Sequence, residues 1–268
     1  MDYKIYTRSV KAADGQHVEN EDSYMYSEFS FMKDKAIRLL VVADGMGGLD
    51  EGKKASRNGV RGFMKAFYAD IMERYMNSDM DGFSMKYAVH EIEDCLRRAI
   101  QSANSSVCNG AEKYEITGTT ISVVCLVDDC VVCANVGDSP IYFYRKQNKK
   151  LRLVSKLQTK AEQDVEAGEY KHDSIEYLKN SHILYCSLGE YDKLQEEDIN
   201  VTTIGNIKAG DSILVGSDGC FGYMNERMLG RMLNECNKEE EAFMLEQIFA
   251  LSQMDKKDDQ TALWCIAL

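Results

Sequence analysis

The chain has 268 residues, of which 44% are hydrophobic and 28% are charged, a composition typical of a globular protein with a sizeable buried core. Its 32 basic and 44 acidic side chains give a formal net charge of −12, which argues against nucleic acid or an acidic membrane surface as a main partner. The N-terminus is polar and lacks an apolar segment of signal-peptide or membrane-spanning length, so we expect a cytoplasmic protein without a membrane partner.

The sequence predicts one continuous domain over residues 1–268, because it has a single proline and no linker-like stretch. Nine cysteines, an odd number, lie mostly inside apolar runs, which is typical of buried reduced thiols. Cys130 and Cys133 have a spacing that is also found in metal and redox sites. No second pair or nearby histidine completes such a site, and Asp128-Asp129 before them is typical of a hairpin turn, so we favour a structural strand pair.

Two long helices are predicted in the first half of the chain. Apolar residues between positions 60 and 76 recur at alternating spacings of three and one, which places them on one stripe facing the core. The stripe consists of Val60, Phe63, Met64, Phe67, Tyr68, Ile71, Met72, Tyr75 and Met76. The second helix has an apolar face made of Met85, Val89, Ile92, Leu96, Ile100, Ala103 and Val107. Asn109-Gly110 supplies its stop signal.

Short apolar runs with hairpin spacing follow, and they predict an antiparallel meander. Its strands would span residues 121–127, 131–136, 141–145 and 151–154. Residues 156–182 are polar and lack clear periodicity, which predicts a loop excursion with one short helix. The remaining elements are a strand at 212–217, helices at 226–236 and 239–251, and a terminal strand at 262–268. Segregated runs of helix and strand indicate an α+β fold with helices packed on sheets.

Acidic residues recur where an apolar strand ends. The strand at 39–43 runs into Asp44-Gly45, and the strand at 213–217 runs into Asp218-Gly219. Two further pairs, Glu21-Asp22 and Asp258-Asp259, flank the first and last strands. If these four ends converge, the resulting all-oxygen site would select a hard cation such as Mg²⁺ or Mn²⁺. Asp-Gly is also a common hairpin-turn dipeptide, and a turn is the alternative for either pair alone.

The glycines after Asp44 also suggest a phosphate-binding loop, as in a nucleotide hydrolase. Gly47, Gly52 and Lys53 have the spacing of that loop, with a strand before and a helix after it. However, Lys54 stands where a Ser or Thr hydroxyl would hold Mg²⁺, and the two acidic residues before Gly52 would repel the phosphates. The pattern therefore favours the metal-binding interpretation.

Six short segments combine these features along nearly the whole chain. They are Asn20-Glu21-Asp22-Ser23, Ala43-Asp44-Gly45-Met46-Gly47-Gly48, Gly118-Thr119-Thr120, Ala134-Asn135-Val136-Gly137-Asp138-Ser139, Gly216-Ser217-Asp218-Gly219 and Asp258-Asp259-Gln260-Thr261. In this order they resemble the signature segments of the protein phosphatase 2C family, and Asp-Gly-Met-Gly-Gly is similar to its bacterial branch. The resemblance implies a four-layer sandwich of two antiparallel β-sheets flanked by α-helices.

The resemblance also implies a metal-dependent protein serine/threonine phosphatase. In the family, two Mg²⁺ or Mn²⁺ ions about 4 Å apart are bridged by a water or hydroxide that attacks the phosphorus of phosphoserine or phosphothreonine in line. The implied partners are phosphorylated protein substrates and a cognate Ser/Thr kinase. Residues 156–182 stand where family members vary a flap over the active site.

Position by position, the resemblance implies a set of metal ligands. They are Glu21, Asp22, Asp44, Gly45, Asp218 and either Asp258 or Asp259. Asp44 would bridge both ions, the glycine carbonyl would complete one of them, and Asp218 would bind the other. Asp258 aligns with the family's ligand, whereas Asp259 stands where asparagine is usual and is the alternative. The first two ligands would contact the second ion directly or through its waters.

Several positions depart from the family pattern. His17 occupies the place of an arginine that grips the substrate phosphate, and it would be charged only below about pH 6.5. Met46 and Leu49 occupy the places of a histidine proposed to protonate the leaving oxygen. Gly222 replaces a carboxylate of a third metal site, which disfavours a third ion, although Glu115 could stand near its other ligand.

Two further expectations follow from the resemblance. Asn135, Gly137 and Asp138 are interpreted as structural, because this segment shapes a turn below the site in the family. The departures also leave an alternative function open, a pseudophosphatase that binds phosphoprotein or metal without efficient hydrolysis. The catalytic residues predicted for an active enzyme are Asp44, Asp218 and His17.

Overall fold

Two five-stranded antiparallel sheets pack face to face and carry helices on their outer sides. The computed structural model describes residues 1–13, 19–32, 35–47, 51–77, 85–110, 117–172, 174–221, 224–253 and 258–268. Its strands are β1 (Tyr3–Val10), β2 (Ser23–Met32), β3 (Lys35–Ala43), β4 (Gly45–Met46), β5 (Gly118–Thr119), β6 (Ile121–Val127), β7 (Cys130–Val136), β8 (Ile141–Arg145), β9 (Lys150–Leu153), β10 (Asn200–Ile204), β11 (Ser212–Gly216) and β12 (Gln260–Ala267). Its helices are α1 (Glu51–Asn77), α2 (Met85–Gly110), α3 (Lys160–Glu166), α4 (Ile175–Asn180), α5 (Asp218–Phe221), α6 (Glu226–Glu235) and α7 (Met244–Ser252), with 3-10 turns at Glu196–Asp198 and Glu241–Phe243.

The sheets interleave early and late parts of the chain. The first sheet has the order β1-β12-β11-β8-β9, and the second has the order β10-β7-β6-β3-β2. Strands β4 and β5 form a small separate pair. Strand β12 lies between β1 and β11, with Tyr3 opposite Ala267 and Gly216 opposite Ala262. The strand ends that carry acidic residues therefore belong to both sheets.

Strand β3 shows how one strand serves two layers. Leu39 and Val41 pack with α1 and α2, whereas Leu40 and Val42 pack against the first sheet, because side chains of a strand alternate between faces. A third apolar cluster joins the first sheet to α5, α6 and α7. The order of layers is helices, sheet, sheet, helices, so the predicted four-layer α+β sandwich is confirmed.

Helices α1 and α2 cover the second sheet. Phe63 and Phe67 are fully buried with ring centroids 5.7 Å apart, and a Cβ on Gly62 would collide with α2, so the two helices approach closely. The predicted apolar stripe is wrong at its end, where Met72 and Met76 are 40% and 77% exposed. The 27 residues of α1 span about 40 Å, whereas the nine residues of β3 span about 30 Å, so the last turns extend past the sheet. No helix among the described residues is long and apolar enough to cross a membrane.

The four strands between residues 121 and 154 are confirmed to within one residue, but they do not form one meander. Strands β6 and β7 belong to the second sheet, while β8 and β9 belong to the first. The chain crosses between the sheets after β7. Gly137 has a φ of 94°, a conformation that glycine adopts readily, and Pro140 at the entry to β8 has no amide hydrogen for a ladder.

The excursion at 156–182 contains two short helices, α3 and α4, where one was predicted. Thr159 and Ser174 cap their first turns with their side-chain oxygens. Helices of seven and six residues are too short to reveal a helical period in the sequence. Gln158 Oε1 accepts a hydrogen bond from the Gly137 amide at 2.6 Å, which attaches the excursion to the crossing between the sheets.

Candidate metal-binding active site

Asp44 lies where β3 leaves its sheet, and two threonines hold its backbone. Its amide donates to Thr120 Oγ1 at 3.0 Å, and its carbonyl oxygen accepts from Thr119 Oγ1 at 2.7 Å and from the Thr120 amide at 2.9 Å. Gly45 then enters β4 and pairs with Thr119. Asp44-Gly45 is therefore a link between strands of different sheets, and Asp218 opens α5, so neither Asp-Gly pair forms a hairpin turn.

Asp22 precedes β2 and is held across the sandwich by Ser217, the residue after β11. Ser217 Oγ donates to Asp22 Oδ2 at 2.8 Å and accepts from the Thr261 amide at 3.0 Å. Asp22 is 2% exposed, and its Oδ1 has no hydrogen-bond partner within the described residues. Because buried carboxylate oxygens normally have a partner, this oxygen is available as a ligand atom for a cation.

The surroundings of Asp44 disfavour its charged form. The pKa of Asp44 lies well above its ordinary value, first because the carboxyl is buried and then because of the negative charges of Asp22, Asp218, Asp138 and Asp258. These carboxylates come from the ends of strands in both sheets. The structure thus brings the predicted strand ends together around Asp44, where a divalent cation would offset the mutual repulsion.

Asp22 has a similar environment. The pKa of Asp22 is raised to about 7, chiefly by burial and also by the charges of Asp259 and Asp218, and the hydroxyls of Thr261 and Ser217 partly oppose this increase. A carboxyl group that is neutral when buried alone can be ionised when a cation binds it, because the cation favours the charged form. Cation binding and the ionisation of Asp22 are therefore expected to be linked.

The two aspartates before β12 have different contacts. Asp259 Oδ1 accepts a hydrogen bond from the Ala12 amide at 2.7 Å, and its Oδ2 accepts from the Glu21 amide at 2.6 Å. Asp258 Oδ1 accepts from the Asp259 amide at 2.9 Å. Asp259 therefore uses both carboxylate oxygens to hold the chain around β1 and β2, and the geometry favours Asp258 of the two as a metal ligand.

Gly52 marks the place where Glu21 and Gly45 converge. A Cβ on Gly52 would lie 2.7 Å from Glu21 Oε2 and 2.9 Å from the carbonyl oxygen of Gly45. A Cβ on Gly45 would lie 2.7 Å from the carbonyl oxygen of Glu21. Both positions must be glycine for this packing, since a real Cβ does not approach so closely. The start of α1 thus lies against one carboxylate and one carbonyl of the predicted ligand set.

The donor set consists of carboxylate and carbonyl oxygens, which fits Mg²⁺ or Mn²⁺. Across the described ranges no three His, Cys, Asp or Glu side chains are arranged to hold one ion by themselves. Mg²⁺ usually keeps several waters and binds through one or two carboxylates, so a set of this kind does not need an all-protein cage. The unpartnered Asp22 Oδ1 is consistent with a bound divalent cation. The ligand roles of the individual residues stay predictions.

Asp138, which is predicted to be structural, lies close enough to Asp44 for its charge to help raise the pKa of Asp44, and it is 8% exposed. Asn135 of the same segment is structural as predicted, because its side chain exchanges hydrogen bonds with the backbone of Lys156. Asp138 also follows an apolar strand that ends in Val136, so the strand-end pattern used for the other acidic residues could have identified it.

The phosphate-loop interpretation is not supported by its lysine. Lys53 Nζ donates to the carbonyl oxygen of Asp22 at 2.6 Å, and Lys54 pairs with Glu51. The lysine that would hold a nucleotide phosphate is therefore bound to the entry of β2.

The spacing of Cys130 and Cys133 has a structural explanation. Both residues lie in β7, and an odd spacing of three places them on opposite faces of the strand. All nine cysteines, each within the described residues, are free thiols.

Several residues singled out in the sequence lie outside the described residues: His17, Leu49, Glu115 and Gly222. Their roles in phosphate binding, proton transfer and a third metal site stay predictions. Met46 is described, and it pairs with Gly118 in the small sheet. Its thioether has no proton to donate, so Met46 does not act as a general acid.

Comparison with known proteins identifies the family. The family model for protein phosphatase 2C matches residues 15–262. The serine/threonine phosphatase stp of Listeria monocytogenes is 27% identical over 198 residues, covering 73% of this chain and 71% of that protein. The structure of the S. agalactiae serine/threonine phosphatase has a TM-score of 0.76 at 20% identity and covers 100% of both chains. PstP of Mycobacterium tuberculosis has a TM-score of 0.73 at 21% identity and covers 99% of this chain and 98% of its own.

A structure of the PstP catalytic domain in complex with two manganese ions has a TM-score of 0.70 at 21% identity, with 98% of this chain and 97% of that chain covered. At these identities the solved structures establish a shared fold. The family model covers nearly the whole chain, including every predicted ligand from Glu21 to Asp259. The chain therefore belongs to the protein phosphatase 2C family.

Proposed function

We propose that this chain is a metal-dependent protein serine/threonine phosphatase. The observation that carries the proposal is the meeting of buried Asp22 and half-buried Asp44 with the charges of Asp218 and Asp258. Such a cluster would repel a phosphate group unless cations were bound between them. Membership of the family and the serine/threonine phosphatases among its relatives support phosphorylated proteins as the substrate class.

We propose the metal ligands from the resemblance to the family, and the packing around Gly52 and the charges around Asp44 support them. Asp44 would be shared, Glu21 and the Gly45 carbonyl would serve one Mg²⁺ or Mn²⁺ ion, and Asp218 and Asp258 would approach the other as it binds, with waters completing its coordination. Two such ions supply Lewis acidity, which lowers the pKa of the attacking water and offsets charge on the transferred phosphoryl group. The PstP structure with two manganese ions supports this number for the family fold.

Other residues position these ligands. Ser217 fixes one oxygen of Asp22 and leaves the other for a cation. Asp259 holds the Glu21 backbone through a hydrogen bond, so we assign it a positioning role and not a ligand role.

The test is turnover of para-nitrophenyl phosphate and of a phosphothreonine peptide with Mn²⁺ and with EDTA. We expect hydrolysis that requires Mn²⁺ and falls about 100-fold or more in Asp44→Ala. Asp192→Ala removes an exposed aspartate and should keep wild-type turnover. Wild-type protein that is no faster than Asp44→Ala would refute the proposal.

The alternative, a pseudophosphatase, is favoured by Met46, which stands where the family carries a histidine and has no proton to donate. Tight binding of a phosphopeptide by calorimetry without turnover would support this alternative. For the active enzyme we propose a Ser/Thr kinase acting on the same targets, and the nine free thiols support a cytoplasmic location.

A further inference from the structure

Helix α1 carries a one-sided positive charge in an acidic protein. Residues 52–69 contain five basic side chains and no acidic one, although the chain as a whole has a net charge of −12. Four of them recur at every fourth position and share one face of α1: Lys53, Arg57, Arg61 and Lys65. Like charges at this spacing disfavour a helix, so this row of four basic residues, the basic ridge, does not stabilise α1.

A cavity of about 390 Å³ lies along the basic ridge of α1. Lys53, Arg57 and Arg61 line it from α1, and Tyr24 lines it from β2. Asp22 belongs to the same lining, which connects the cavity to the carboxylate site. We call the surface formed by these three basic residues and Tyr24 the basic groove.

Two cations of the basic groove have no intramolecular anion. Arg57 and Arg61 are exposed, and within the described ranges they form no hydrogen bond or ion pair. By contrast, Arg98 pairs with Asp70 at the other end of the helix layer. Lys53 donates to a backbone carbonyl, which fixes its position but leaves its charge uncompensated. The groove therefore offers positive charge to a molecule outside the chain.

The opposite border of the groove is a strand edge. In the described part of the chain β2 pairs only with β3, so its outer backbone groups can accept another strand. Tyr24 of this strand lines the cavity and is 44% exposed. Helix α1 packs against the start of this strand, where Ser56 Oγ and Ser23 Oγ are 2.8 Å apart. An open strand edge beside a row of cations fits an extended acidic peptide.

We propose that the basic groove binds an acidic segment of the phosphoprotein substrate beside the phosphorylated residue. This inference rests on the proposed phosphatase function and specifies its substrates. Lys53 and Arg61 are about 12 Å apart along α1, which is the length of about four extended residues. The preferred aspartates, glutamates or further phosphorylated residues therefore lie within about four positions of the residue that is dephosphorylated.

The test compares two phosphothreonine peptides that differ only in flanking residues, Asp and Glu in one and Asn and Gln in the other. We expect the wild type to have a kcat/KM about five- to tenfold higher for the acidic peptide, and Arg57→Gln/Arg61→Gln to lose this ratio. Arg227→Gln/Arg231→Gln on α6 removes two exposed arginines at the same spacing and should keep the ratio. Equal kcat/KM for both peptides in the wild type, or an unchanged ratio in Arg57→Gln/Arg61→Gln, would overturn the proposal.

Failure of the phosphatase function gives a different result, since neither peptide would then be hydrolysed. In that case fluorescence anisotropy of the labelled acidic peptide in EDTA tests the groove without turnover. Weaker binding by Arg57→Gln/Arg61→Gln and in higher salt supports the groove. Equal binding by that variant and the wild type refutes it.

Discussion

Ser217 donates its hydroxyl hydrogen to Asp22 Oδ2 at 2.8 Å and so joins the end of β11 to the start of β2 across 195 residues. Ser217 Oγ also accepts a hydrogen bond from the Thr261 amide of β12. One small side chain thereby fixes the relative position of three strands at the carboxylate site. Its hydroxyl sets which oxygen of Asp22 is used by the protein and which is left for a cation.

Ser217→Ala should lower the free energy of unfolding by about 1–3 kcal/mol, because it removes a hydrogen bond to the buried Asp22 carboxylate and leaves the Thr261 amide without its partner. Urea unfolding in EDTA measures this change. Ser105→Ala is the matched control, since Ser105 is exposed on α2 and donates only to the Gln101 carbonyl. The control should change stability by less than about 0.5 kcal/mol. A Ser217→Ala effect no larger than the control would contradict the role of this hydroxyl.

The stability of the protein in EDTA should carry a pH dependence from Asp22. Its pKa is raised from 3.8 to about 7 in the folded state, so between these values the folded chain binds more protons than the unfolded chain. This contribution to the free energy of unfolding therefore falls as pH rises through that range. Asp22→Asn should show less of the fall in urea unfolding, and saturating Mn²⁺ should reduce the fall in the wild type. Parallel curves for wild type and Asp22→Asn in EDTA would count against the raised pKa.

Asp258→Asn and Asp259→Asn should separate binding from stability. Asp258→Asn is expected to weaken Mn²⁺ binding in calorimetry with little change in unfolding in EDTA. Asp259→Asn replaces an oxygen that accepts a backbone amide, so it should lower the free energy of unfolding by about 1–3 kcal/mol even without metal. The reverse pattern would exchange the two roles.

Gly52→Ala should weaken Mn²⁺ binding, because its Cβ would lie 2.7 Å from Glu21 Oε2 and must displace that carboxylate. Gly205→Ala is the control, since its Cβ would meet only Cys130 Sγ at 3.9 Å. Mn²⁺ titration followed by calorimetry compares the two variants. Equal affinity would show that the Glu21 carboxylate is not held at the metal site.

The sequence predicted the strands between residues 121 and 154 and those near 212–217 and 262–268 well, because apolar runs and turn residues are local signals, but it predicted no range for β1, β2 or β10. It could not predict that the chain changes sheets between β7 and β8, because Val136 and Ile141 are both buried and their periodicity does not identify the sheet they join. The last turn of α1 was misassigned for a related reason. The stripe that ends at Met76 looks like core, and only the length of the neighbouring sheet shows that it is not.

The candidate site was predictable where a carboxylate follows a strand, as at Asp44 and Asp218. The resemblance favoured Asp258 over Asp259, but the residues alone did not separate them, because the difference depends on amides at Ala12 and Glu21 that approach from the other end of the chain. The charge that Asp138 adds near Asp44 was not predicted, because its segment also makes a turn, and a turn and a charged cluster can share the same residues.

The place of β12 between β1 and β11 has a consequence for the order in which the protein assembles. During synthesis β1 and β11 emerge before the strand that pairs with both of them. Until β12 arrives, two strand edges of the first sheet are exposed to other chains, a state prone to aggregation. Asp259, just before β12, reaches the amides of Ala12 and Glu21 only at that step, so the nascent polypeptide completes the proposed divalent-cation site last.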